Sequence, residues 1–157
     1  MICGKICCGK STYAKALAQK NRAVVLSVDE IMLNMFGQHC GDMHDEYAER
    51  TKKYLFSKSL ELLNCGVDVI VDWGPWTKEG RNAVKAFYAA RNIAVETHYI
   101  SVSDAEWQAR LKKRNAAVSA GETLDYYVDE GLAEKFSSLF EEPTPDEIDV
   151  WVEETKL

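Results

Sequence analysis

Gly4-Lys5-Ile6-Cys7-Cys8-Gly9-Lys10-Ser11 fits the pattern G-x-x-x-x-G-K-[ST], and no other stretch narrows the fold of this chain as much. A short apolar run, Met1-Ile2-Cys3, precedes it, and apolar residues at helical spacing follow over 11–20. In that setting the glycines let the backbone curl until successive N–H groups point inward, and the following helix adds the positive end of its dipole. Such a loop cradles phosphates. Lys10 supplies charge for the β and γ phosphates, and Ser11 offers a hydroxyl to Mg²⁺. The nucleotide-binding candidates are therefore Gly4, Lys5, Ile6, Cys7, Cys8, Gly9, Lys10, Ser11 and Thr12, and the expected cofactors are ATP and Mg²⁺.

Hydrophobic periodicity places the motif in an alternating pattern. Runs rich in Val, Ile or aromatics at 1–3, 23–27, 67–72, 93–101 and 148–152 predict strands; stretches at 11–20, 45–65, 77–91, 104–114 and 124–140 predict helices. Asp45 or the residue before it is the expected cap of the second helix, Gly66 its stop, and Thr77 with Gly80 a weaker start signal. Alternation of this kind predicts an α/β domain with a five-stranded parallel sheet and helices on both faces. The first run is shorter than the usual ~5–6 residues of a strand, from which the expectation is a chain that begins late. Segments 37–44 and 115–122 read as loops, the second as a small lid, and Pro143 and Pro145 make 141–147 the turn into the last strand.

The chain of 157 residues is long enough for one self-sufficient domain over 1–157, without disulfide or metal staples. Cys3, Cys7, Cys8, Cys40 and Cys65 form no zinc or disulfide pattern, and His39, Cys40 and His44 lack a fourth ligand, so reduced thiols are expected. Twenty-five acidic against nineteen basic residues give a net charge of −6, which predicts that a long nucleic acid is an unlikely partner. No run is apolar enough for a membrane span and no signal peptide opens the chain, so the expected location is cytoplasmic with no membrane partner.

Several residues downstream complete a candidate site. Asp29 follows the second strand run, at the sheet edge where open α/β folds hold ligands, and is a candidate base for an attacking hydroxyl or holder of a Mg²⁺ water; the alternative is a helix cap. Asp72 ends the third run and is the second candidate metal residue beside Ser11. Trp73, Trp76 and Arg81 follow it as candidate acceptor contacts, against packing for the indoles and a solvated surface for the arginine. Arg110, Lys112, Lys113 and Arg114 concentrate positive charge before the expected lid. Arg110 and Arg114 are the candidates for stabilising a transferring phosphoryl group, with Lys10 as the third catalytic cation.

Taken in order, GKICCGKSTYAKALA, LSVDEI, VIVDWGPWTKEGR, RLKKRN and FEEPTPDE resemble the small P-loop kinases grouped with zeta toxins, chloramphenicol phosphotransferase and the kinase domain of polynucleotide kinase, which carry an AAA-type ATP-binding domain. The resemblance implies a three-layer, nucleoside-kinase-like P-loop NTPase fold with strand order 2-3-1-4-5, Asp29 as base, a basic lid carrying Arg110 and Arg114, and Asp72 and Arg81 in the strand-three motif. The leading functional expectation is transfer of the ATP γ-phosphate to a hydroxyl of a small-molecule acceptor. The alternatives are a regulatory ATPase or nucleotide switch, a 5′-hydroxyl nucleic-acid kinase, and a zeta-toxin-like sugar-nucleotide kinase.

Overall fold

The computed structural model describes residues 1–153. In chain order the elements are β1 (Ile2–Cys3), α1 (Lys10–Asn21), β2 (Val24–Ser27), α2 (Val28–Phe36), α3 (His44–Asn64), β3 (Val69–Asp72), α4 (Lys78–Ala89), β4 (His98–Ile100), α5 (Asp104–Ser119), α6 (Glu130–Leu139) and β5 (Val150–Val152), with 3₁₀ turns at Gly41–Met43 and Pro145–Glu147. Every strand pairing is parallel. The strands form two hydrogen-bonded groups, β2–β3 and β1–β4–β5, and β1 lies against β3 where the groups meet. These are the two halves of the expected order; the β1–β3 junction carries no ladder of its own.

Alternation along β3 explains the layering. Ile70 joins Ile2, Ile100 and Cys8 beneath Ala14 of α1, whereas Val71 faces the other way into Val84 and Tyr88 of α4 and Phe56, Leu60 and Leu63 of α3. Helices therefore cover both faces. Tyr88 donates its hydroxyl to Ser59 at 2.8 Å, and Ser59 in turn donates to the Phe56 carbonyl at 2.7 Å, so the buried polar atoms between α3 and α4 are satisfied.

Local signals set most helix starts. Ser27, Thr77, Ser103 and Asp129 each accept a backbone N–H three residues on, capping α2, α4, α5 and α6. Thr77 is thus a working cap. The expected cap at or before Asp45 does not form: the 3₁₀ turn runs straight into α3, whose first residue is His44. Two segments differ from the sequence reading for physical reasons. α5 continues to Ser119, because Ala116 and Ala117 favour helix and no breaker occurs before Gly121; much of the stretch expected as a lid is helical. The helix expected over 124–140 begins only at Glu130, because side chains from elsewhere capture the backbone before it (see below). Only His98–Ile100 of the long run at 93–101 pairs as strand. No helix among the described residues is long and apolar enough to cross a membrane.

Candidate functional site

Parallel strands bring Cys3, Ser27, Asp72 and Ile100 to one edge of the molecule, and the segments leaving them build the site. The β2–β3 register pairs Ser27 with Asp72, so Asp29, in the first turn of α2 just past Ser27, comes close enough to Asp72 to feel its charge. The loop between β1 and α1 curls as its motif requires. Gly4 has φ +149°, and a Cβ there would lie 2.7 Å from both Cys8 Sγ and the Ile100 carbonyl oxygen, so only glycine fits. Cys7 holds a left-handed φ of 60°, and Gly9, at φ 101°, leads into α1 without a side-chain cap. The first N–H groups of that helix are left to face the loop.

Four side chains brace this loop. Lys10 Nζ donates to the carbonyls of Gly4 (3.0 Å) and Lys5 (2.7 Å). Trp107 Nε1 donates to the Ile6 carbonyl at 2.8 Å. Arg110 donates to the Cys8 carbonyl at 2.7 Å while its Nε pairs with Glu106 at 2.6 Å, and Arg114 donates to Cys7 Sγ at 3.1 Å. The Arg114 Nε is buried with no hydrogen-bond partner, a costly arrangement for a cationic donor and one that an anion on the loop would relieve. The lysine and both arginines thus converge on one loop from α1 and α5.

The acids sit opposite. Asp72 is buried, at 5% exposure, and accepts the Ser11 hydroxyl; burial pushes its pKa up, against the pull of that hydrogen bond and of Lys10. Asp29 reaches solvent at the mouth of the site, where water screens it, yet it is ringed by protein. Desolvation raises its pKa, the charge of Asp72 adds to the rise, and Lys10, Arg114 and His44 oppose it. Ser27 caps α2, so the carboxyl of Asp29 is not consumed as a cap. The Ser11–Asp72 pair offers hard oxygen donors of the type Mg²⁺ prefers. The described residues contain no cluster of three His, Cys, Asp or Glu, and a Mg²⁺ held by one carboxylate, one hydroxyl and nucleotide phosphates needs none.

Of the three expected acceptor contacts after Asp72, Arg81 turns inward, whereas Trp76 Nε1 and Lys10 Cε flank Gly74, 2.9 and 3.6 Å from where its Cβ would stand, and Trp73 packs on the same cluster as Tyr126. Arg81 is neither solvated nor directed at a ligand: it is 1% exposed, its Nε donates to Glu147 at 2.8 Å, and its guanidinium also reaches the Glu141 carbonyl at 2.8 Å. It ties α4 to the turn before β5. Trp73 packs edge-on against Phe56, with ring centres 4.9 Å apart, and Trp76 lies on Phe136 at 4.5 Å, so both indoles pack chiefly over the sheet edge. Meanwhile Gln38, which no motif marks, and Asn115, the last residue of RLKKRN, hold the backbone on either side of Tyr126, whose phenol feels the charge of Asp29; this meeting is tertiary and has no local sequence pattern.

A family profile described as AAA domain matches residues 1–142. The chain belongs to the AAA domain family. No curated protein matches this AAA domain. Among solved structures it resembles a chain of the Pnkp1/Rnl/Hen1 RNA repair complex, with TM-score 0.69 and 19% identity over 88% of this chain and 42% of that one. The AAA domain thus spans under half of that chain's length. It also resembles the Mycobacterium tuberculosis APS kinase CysC in complex with AMPPNP and APS (TM-score 0.65, 20% identity, covering 97% and 85%). A sugar kinase from Janibacter sp. HTCC2649 is similar at TM-score 0.65 and 16% identity, covering 97% and 82%. The AAA domain has the α/β fold of P-loop kinases. The expectation against a long nucleic-acid partner does not stand, because a chain of this fold works within an RNA repair complex. Net charge averages over the whole surface, whereas Lys10, Arg110 and Arg114 focus positive charge at one point.

Proposed function

We infer that this protein is an ATP- and Mg²⁺-dependent phosphotransferase that moves the γ-phosphate of ATP to a hydroxyl. The convergence of Lys10, Arg110 and Arg114 on the phosphate loop, opposite an Asp29 carboxyl that no helix cap consumes, carries this reading. Gly4 to Thr12 bind the triphosphate, and Ser11 with Asp72 hold Mg²⁺, which neutralises charge on the phosphate oxygens. Asp29 takes the proton of the attacking hydroxyl as its oxygen bonds the γ phosphorus and the bond to the β-phosphate oxygen breaks, leaving ADP. Lys10, Arg110 and Arg114 stabilise the charge that spreads over the transferring group. Residues 1–157 act as one domain in the cytoplasm, with the two strand groups continuous as 2-3-1-4-5.

A small molecule is the first acceptor class, with the hydroxyl end of a nucleic acid as the second reading, favoured by the likeness to the RNA repair chain. Purified protein incubated with γ-labelled ATP and Mg²⁺ against nucleosides, sugars, aminoglycosides and 5′-hydroxyl oligonucleotides tests both. Label transfer to an acceptor is expected. ATP binding with slow hydrolysis that every acceptor leaves unchanged would favour a nucleotide switch instead.

A further inference from the structure

The segment between α5 and α6 is fastened at two points by side-chain amides. Gln38, from the α2–α3 connection, donates its Nε2 to the Asp125 carbonyl and accepts the Tyr127 N–H on its Oε1 at 3.1 Å. Asn115, from α5, repeats the arrangement at Val128, donating Nδ2 to its carbonyl at 2.6 Å and accepting its N–H at 3.0 Å. Each amide thus satisfies a backbone donor and a backbone acceptor, as a neighbouring strand would. Val128 is 1% exposed and packs with Leu111 and Ala133 beside Ile6 and Cys7 of the phosphate loop. The segment is a strap from the α2–α3 connection to the phosphate loop.

Between the Gln38 bonds stands Tyr126. Its half-buried ring packs against the cluster of Leu26, Val28, Met32 and Leu55, lies edge-on to His44 at 5.9 Å, and is close enough to Asp29 to feel its charge. Burial and the neighbouring Asp29 charge push its phenol up to about 12, so the hydroxyl remains a donor at neutral pH. A rigid aromatic surface with a polar tip beside the candidate base suits an acceptor that presents both a ring face and hydroxyls.

Building on the phosphotransferase reading, we propose that Tyr126, fixed by Gln38 and Asn115, is the specificity-determining wall of the acceptor site, and that the acceptor hydroxyl is carried on or beside a ring that offers an apolar face. The ring belongs to a free sugar or nucleoside, or to the terminal residue of an oligonucleotide; these share the contact. Gln38 and Asn115 are positioning residues.

Steady-state transfer by Tyr126→Ala, Tyr126→Phe and Gln38→Ala, with nucleosides, monosaccharides and 5′-hydroxyl oligonucleotides as separate arms, tests the proposal. Tyr126→Ala should raise acceptor KM by about tenfold or more with ATP affinity retained, and raise ATP hydrolysis without acceptor as water enters the space the ring held. Tyr126→Phe should raise KM by less than Tyr126→Ala does, since the ring remains and only the hydroxyl donor is lost. Gln38→Ala should raise acceptor KM and speed hydrogen exchange of the Tyr127 amide while leaving that of Tyr13 within α1 unchanged. Folded Tyr126→Ala with parental KM and parental hydrolysis overturns the proposal; should that variant not fold, parental KM in Gln38→Ala despite faster exchange overturns it. A parent that transfers to no acceptor and does not hydrolyse ATP overturns the phosphotransferase reading and takes this proposal with it.

Discussion

Asp29 and Ser27 sit two residues apart and divide their labour, which makes Asp29 open to a clean substitution. Because Ser27 holds the α2 cap, Asp29→Asn should leave the thermal midpoint near the parental value. Asparagine cannot take the hydroxyl proton, so transfer should fall ~10²–10⁴-fold while ATP still binds; transfer at the parental rate would dismiss Asp29 as base. Its raised pKa sets the direction of the pH effect: Asp29 must be ionised to accept a proton, so turnover falls as pH drops through that raised value. The limb should vanish from the pH profile of Asp29→Asn. Asp72 gives a different outcome. A buried carboxylate with a raised pKa costs stability once ionised, from its unfolded value upward in pH. Asp72→Asn should therefore melt higher than the parent at pH 7 in chelator, yet lose Mg²⁺-dependent turnover; a lower melting temperature would contradict this account.

The Arg81–Glu147 pair works between elements, joining α4 to the turn before β5, and Lys85 adds a bond to the Glu147 carbonyl at 2.6 Å. The arginine contact, helped by Thr144, holds the Glu147 carboxyl down at about 2 from the usual 4.5. Its stabilising effect is complete above pH 4.5 and disappears as pH falls through about 2. Removing one partner of a buried pair typically costs about 3–5 kcal/mol, so Glu147→Gln should lower the melting temperature by several degrees at pH 7 and flatten acid destabilisation between pH 4.5 and 2. Parallel acid melts of both proteins check it. This pair also marks where sequence reading stops. Strand positions were legible because alternation and β-branched runs are local, and the phosphate loop because its glycines and lysine are contiguous. Arg81 was not, since its partner lies 66 residues away and nothing in its own helix separates a buried guanidinium from a solvated one. Residues 124–129 resisted for the same reason: Gln38 and Asn115 decide their conformation, overriding their apolar spacing.

At the scale of the whole molecule, charge and apolar surface are distributed unevenly. Acidic residues outnumber basic ones twenty-five to nineteen, yet Lys10, Arg110 and Arg114 meet at one loop, so nucleotide affinity should hang on Lys10 far more than on net charge. Lys10→Ala should abolish most ATP binding by calorimetry, whereas Arg114→Ala with Arg110→Ala should spare affinity and depress turnover, because charge on the transferring group peaks in the transition state. A double mutant with parental turnover would leave the arginines as braces of the loop alone. The tryptophans are spread as unevenly: Trp73 and Trp76 lie over the sheet edge, Trp151 is 45% exposed, and Trp107 is bonded through its indole to the crown of the phosphate loop. Any rearrangement of that loop must stretch or re-aim the Trp107 N–H···O bond, and indole emission responds to the polarity of its partner. Indole emission is therefore expected to change when nucleotide is added, readable by stopped-flow fluorescence without a dye, and to lose that response in Trp107→Phe.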